Sequence, residues 1–148
     1  MRHVESRTQA AAVKWFRLQY PEYSYLLISV PNGVATSATQ GRILKAEGMV
    51  AGASDLLLLV PRHGYGCLCL EFKIKDGRQS ESQKIWQRET EKVCNKYVII
   101  RSFEQFRAVV EEYLGYTNGI RQERETLQRL SKKVVEDEKN VGVYSKSV

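Results

Sequence analysis

The sequence predicts an α/β sandwich: a central mixed β-sheet flanked by helices. Three observations carry this. Short runs that are apolar at nearly every position alternate with longer segments whose apolar residues recur at three or four. Two of the short runs follow one another across a brief connection, as in an antiparallel hairpin. Later runs are separated by helices, which lets strands of one sheet lie parallel. The order read along the chain is α-β-α-β-β-α-β-α-α.

The first helix covers Glu5–Gln19, where Ala12, Trp15, Phe16 and Gln19 share helical spacing and Pro21 follows the end. Tyr25–Val30 is a short apolar strand closed by Pro31-Asn32-Gly33, a turn signal. A modest helix from about Thr39 to Glu47 leads into the glycine-rich Gly48–Ala53. Asp55–Val60 follows, an acid and then an unbroken apolar run, as for a strand covered on both faces. Pro61–Tyr65 joins it to a second strand, Gly66–Ile74, and Asp76-Gly77 then breaks the chain. Ser80–Asn95 forms a helix on the recurrence of Ile85, Trp86, Glu89 and Val93. Tyr97–Ile100 is another buried strand, and Ser102 can cap a helix through Phe106, Val109, Val110, Tyr113 and Leu114. Trp15, Trp86 and Phe106 are expected in the core. Residues 116–148 make a second region, one charged helix with a thin stripe of Ile120, Leu127, Leu130 and Val134 and a frayed tail. Residues 1–115 would form the main domain.

Composition narrows the class. The 148 residues, 43% hydrophobic and 27% charged, suit one domain with its own core. No apolar run approaches the roughly 20 residues that span a bilayer, and the start lacks the apolar stretch of a secretory signal. Three cysteines cannot pair evenly, which fits a reducing cytosol, so a cytoplasmic domain is expected. The net charge of +6 is uneven: residues 1–45 hold six basic side chains against Glu5 and Glu22, whereas residues 46–116 are neutral. That excess suits either a solvated surface or a polyanionic partner.

Asp55 through Lys73 carries the chemistry. If its two strands pair symmetrically about His63, Val60 faces Gly66, Leu57 faces Cys69 and Asp55 lies opposite Glu71. Opposed residues have Cβ atoms about 4.5–5.5 Å apart, so the two carboxylates repel. A divalent cation offsets that repulsion, and convergent carboxylates with water are the usual Mg²⁺ ligands. Strand alternation puts Lys73 on the face of Glu71. Alone, Glu71-x-Lys73 also suits an ion pair on an edge strand. With Asp55 behind a glycine-rich loop in a basic chain, it suits metal-assisted phosphodiester hydrolysis. Cys67, Cys69 and Cys94, with His63, lack zinc-ligand spacing, so the cysteines are expected to be small buried side chains; His3 and His63 have no nucleophile partner and are expected to be surface histidines. Gly48–Gly52 lacks the ending of a phosphate-binding loop.

Gly48 and Gly52 ahead of Asp55, then Glu71-x-Lys73, then Gln83-x-x-Trp86, resemble the VRR-NUC (virus-type replication-repair nuclease) branch of the PD-(D/E)XK superfamily. The resemblance covers about residues 1–115 and implies a restriction-endonuclease-like sandwich. It implies that Asp55, Glu71 and the Phe72 carbonyl hold Mg²⁺ or Mn²⁺, that Lys73 assists the attacking water, and that Gln83 sits near the centre. Glu5 matches an acid that related nucleases bring from the first helix. Ser54 stands where a proline often precedes the aspartate. Lys75, Arg78 and Lys84, with Asn32 and Arg42, are candidate phosphate contacts. Stand-alone members resemble Holliday-junction resolvases, which implies a homodimeric, structure-selective DNA endonuclease of phage or prophage origin. A flap or end-directed exonuclease and a non-catalytic DNA-binding module are the alternatives.

Overall fold

Every element expected as far as Leu114 is present in the computed structural model, which describes residues 2–31 and 37–115 with 130, 131 and 133. The chain divides into two units, Met1–Tyr113 and Leu114–Val148. Asn32 and nearly all of the terminal helix expected over 116–148 lie outside the described residues. Helix α1 spans Arg2–Gln19 and ends at a 3₁₀ turn, Pro21–Tyr23. Strand β1 (Leu27–Ser29) and helix α2 (Ala38–Ala46) precede the hairpin of β2 (Leu56–Leu58) and β3 (Leu68–Phe72). Helix α3 (Glu81–Lys92), strand β4 (Lys96–Ile100) and helix α4 (Phe103–Leu114) complete the order.

The four strands form one mixed sheet in the order β1-β2-β3-β4. The first three are antiparallel neighbours, and β4 returns parallel to β3 through α3. Leu56 pairs with Leu70, Leu57 with Cys69 and Leu58 with Leu68, the register read from the sequence. The turn itself is offset. His63 and Gly64 both take positive φ, 52° and 82°, and Arg62 bridges Tyr65. Three residues then separate Arg62 from Leu58 but only two separate Tyr65 from Leu68. The extra residue in Leu59–Pro61 acts as a bulge, and proline there gives up no ladder hydrogen bond. Without it the register would slip by one and turn Glu71 to the other face.

Pairing sorts the side chains. Leu27, Leu56, Leu58, Leu68, Leu70, Phe72 and Ile100 share one face, all buried. Phe72 on this face meets Phe106 of α4, 6.0 Å between ring centres, and Phe16 of α1 is fully buried. The opposite face carries Leu57, Cys69, Glu71 and Tyr97, with Trp86 of α3 against Tyr97. Tyr113 ties α4 to the hairpin by donating its hydroxyl to the Val60 carbonyl, 2.8 Å.

Three expectations need correction. The first three strands are shorter than their apolar runs, with Tyr25, 94% exposed, outside β1, whereas β4 begins one residue before its run, at Lys96. The strand buried along its whole length is β3, not β2: Leu57 is half-buried and Leu59 is 43% exposed. The reason is position, since β3 lies between β2 and β4, and β2 borders β1, only three residues long. Phe106 is core as expected, but both tryptophans are half-buried at its margin, Trp15 edge-on to Tyr20, Phe103 and Phe106. A ring that large is seldom covered on every side, so each packs part of its surface on its aromatic neighbours and leaves the rest in solvent. No helix among the described residues is long and apolar enough to cross a membrane.

Candidate active site

Asp55 stands at the entrance to β2, one step beyond the last paired residue, where the ladder leaves Phe72 N–H without a backbone partner. The Asp55 Oδ2 atom accepts that N–H at 2.7 Å and so replaces the missing rung. A strand residue's N–H and carbonyl leave by the same edge, so the Phe72 carbonyl projects on the side of Asp55. Glu71 is fully buried on the face that α3 covers. Lys73, two residues on, returns along the same face and donates Nζ to Glu71 Oε1 at 2.6 Å, with its side chain 13% exposed.

Gln83 completes this contact from α3. Ser80 caps the helix, its hydroxyl accepting from Gln83 N at 3.3 Å, while Gln83 Oε1 accepts from Ser80 N at 2.9 Å. This capping box occupies the amide oxygen and so directs Nε2 outward. The Nε2 group donates to Glu71 Oε1. A Glu would satisfy the cap equally well but would set a carboxylate against Glu71, so the site requires the amide. Glu5 reaches from α1 to the end of β3, where Oε1 accepts from Ile74 N at 3.0 Å. The side chains of Glu5, Asp55, Glu71, Lys73, Ser82 and Gln83 line one cavity of about 530 Å³.

The sequence matches no protein-family model and no curated protein. Its fold does have a solved counterpart. A structure described as a "VRR_NUC domain protein" aligns with a TM-score of 0.66 at 19% identity, over 75% of this chain and 88% of that one. The fold is that of a VRR-NUC domain.

Within this VRR-NUC fold the charges are not balanced by protein groups alone. Glu71 Oε1 receives two donors, whereas Oε2 is buried with none. Burial raises the Glu71 pKa to about 7, against the pull of Lys73, and the neighbouring charges of Asp55 and Glu5 add to the rise. Burial also raises that of Asp55, opposed by Phe72 N–H and Lys73. An unpartnered buried carboxylate oxygen is costly unless something positive meets it. A divalent cation fits: Asp55, Glu71 and the Phe72 carbonyl are all hard oxygen donors. Among the described residues no three acidic, histidine or cysteine side chains form a ready cage, so water and substrate oxygens would fill the remaining positions.

The structure thus brings together Asp55, Glu71, Phe72, Lys73, Gln83 and Glu5. The expected phosphate contacts stand apart from the cavity lining. Lys75 and Arg78 are exposed between β3 and α3, Arg42 is exposed on α2, and Lys84 is paired with Glu81 at 2.6 Å. The cysteines are free, but only Cys69 is buried as expected, its thiol pushed up by burial; Cys67 is half-buried, and Cys94 is exposed because it lies past the end of α3, in the turn before β4.

The contact made by Gly52, a residue already in the motif, and the role of Arg101 were not read from the sequence. Gly52 has φ +85°, and a Cβ there would collide with the Ser82 carbonyl and lie 2.6 Å from Gln83 N. Only glycine lets this loop touch the first turn of α3, which holds Gln83 against Glu71. The paired glycines were the available signal. Arg101 donates Nη1 to the carbonyls of Ile74, Lys75 and Gly77 at 2.7, 2.9 and 3.0 Å, fixing the turn after Lys73. Nothing local in the sequence marks it, since its partners lie more than twenty residues away.

Proposed function

We propose that the chain is a metal-dependent DNA endonuclease that hydrolyses phosphodiester bonds in branched DNA, in the manner of a Holliday-junction resolvase, and acts as a homodimer. One observation carries the catalytic reading: the buried, unpartnered Oε2 of Glu71, two residues from an ammonium group and across the hairpin from Asp55. The VRR-NUC fold supports a nuclease-type domain.

Asp55, Glu71 and the Phe72 carbonyl would hold Mg²⁺ or Mn²⁺, which supplies positive charge to the phosphate oxygens and makes water a better nucleophile. Lys73 has three N–H donors and uses one on Glu71. The others can orient the attacking water and meet the charge that develops on a non-bridging phosphate oxygen. Gln83 fixes Glu71 in one rotamer, and Glu5 holds the end of β3. Water's oxygen bonds to phosphorus, the P–O bond to the leaving oxygen breaks, and that oxygen takes up a proton. With no separate sequence-reading domain among the described residues, selectivity would come from DNA shape.

Cleavage of linear, flapped and four-way DNA with and without Mg²⁺ tests this. Asp55→Asn and Glu71→Gln are expected to abolish cleavage yet leave folding and DNA binding intact; full residual activity refutes the assignment. Symmetric nicks at a four-way junction support the dimeric resolvase, whereas progressive shortening of free ends marks an exonuclease. DNA binding indifferent to EDTA, with no hydrolysis in Mn²⁺, marks a non-catalytic module.

A further inference from the structure

The flank of α1 continues the floor of the active-site cavity. Ser6 and Gln9 line that cavity and also begin a shallow depression that passes Ala10 and Val13 to Lys14 and Arg17. These residues recur at three or four, so they form one strip along the helix. The strip starts beside Glu5, runs through Ser6, Gln9, Ala10 and Val13 to the two cations, and has the exposed Leu18 at its far end. Glu5 is the only acid in α1, and its Oε1 is engaged by Ile74 N. Lys14 and Arg17 are exposed, and among the described residues neither belongs to an ion pair.

We propose that this strip of α1 is the track along which the DNA arm leaves the active site, with Lys14 and Arg17 gripping its phosphates. The proposal rests on the nuclease reading, and two features support it. The track is continuous with the cavity in which a phosphodiester would be cut, and its charge is opposite to that of DNA. Reach sets the scale. Arg17 lies twelve residues past Glu5, about 18 Å along the helix axis. At roughly 3.4 Å of duplex per base pair, the grip falls about five base pairs from the cut, with Lys14 about four. Two phosphate contacts steepen the salt dependence of binding by about 1.8 in log–log slope.

The test compares wild type with Lys14→Ala/Arg17→Ala on four-way junctions whose arms extend either three or ten base pairs beyond the cut. Wild type is expected to prefer long arms by tenfold or more, and the double variant to lose that preference to within about twofold. Lys14→Arg/Arg17→Lys should keep it. In parallel, salt titration of DNA binding in an Asp55→Asn background needs no cleavage, and there the double substitution should flatten the slope by about 1.8. An unchanged arm-length preference with an unchanged slope overturns the track while leaving the nuclease standing. Absence of cleavage by wild type on every substrate overturns the nuclease reading, and the binding slope still decides whether α1 grips DNA.

Discussion

Gln83 shows how much depends on one amide. Its oxygen closes the α3 capping box and its nitrogen holds Glu71, so the two halves can be separated by substitution. Gln83→Glu is expected to keep the cap and thermal stability near wild type in acid, yet slow cleavage at pH 8 by at least about tenfold, or 1.4 kcal/mol of barrier. Parallel melting curves and kcat measurements check both halves. Glu71 itself sets the pH dependence. With a pKa near 7, well above the ordinary 4.5, it must lose a proton before it can accept a cation. Cleavage at limiting Mg²⁺ should therefore rise as pH passes about 7, and tenfold more Mg²⁺ should move the midpoint down by up to about one unit. A flat profile from pH 5.5 to 8 at limiting metal would contradict this.

At the scale of elements, the site is a meeting of ends: the entrance of β2, the exit of β3 and the first turn of α3. Gly52 is the hinge pin of that meeting, because its missing Cβ lets the loop ahead of β2 touch Ser82. Gly52→Ala is expected to push the first turn of α3 away. Stability should fall by more than about 1 kcal/mol, since an L-residue must also adopt φ +85°. Cleavage should fall further than Gly48→Ala causes, because a Cβ at Gly48 meets nothing within 4 Å although its φ is also positive. Urea midpoints and cleavage rates of the pair compare these. Arg101 works similarly from the far side, gathering three carbonyls behind Lys73.

Across the whole molecule, the sheet holds a charge it cannot neutralise by itself. The raised Glu71 pKa fixes the sign: the stability this group contributes is fully present below about pH 4.5 and is lost as pH rises through about 7. A divalent cation should recover it on the alkaline side. Mg²⁺ at a hundredfold excess over Kd is expected to raise Tm at pH 8 by roughly 5–10 °C, and by much less at pH 5.5, where the proton already occupies the carboxylate. Thermal melts at the two pH values, with Ca²⁺ alongside Mg²⁺, measure it. In Asp55→Asn/Glu71→Gln the alkaline gain should vanish.

Much of this was legible in the sequence because its signals are local. Apolar runs and helical spacing gave the element order through Leu114, and period-two alternation put Glu71 and Lys73 on one face. The opposition of Asp55 and Glu71 followed from a register that could be counted across a short connection. Boundaries were less legible, since apolar runs continue past the point where a neighbouring strand stops pairing, as Tyr25 and Leu59 show. The partners of Glu71 Oε1, the burial of Oε2 away from any protein donor, the contact of Gly52 with Ser82 and the grip of Arg101 were decided only by tertiary structure. Each depends on a distance between segments far apart in the chain, which no pattern of nearest neighbours encodes.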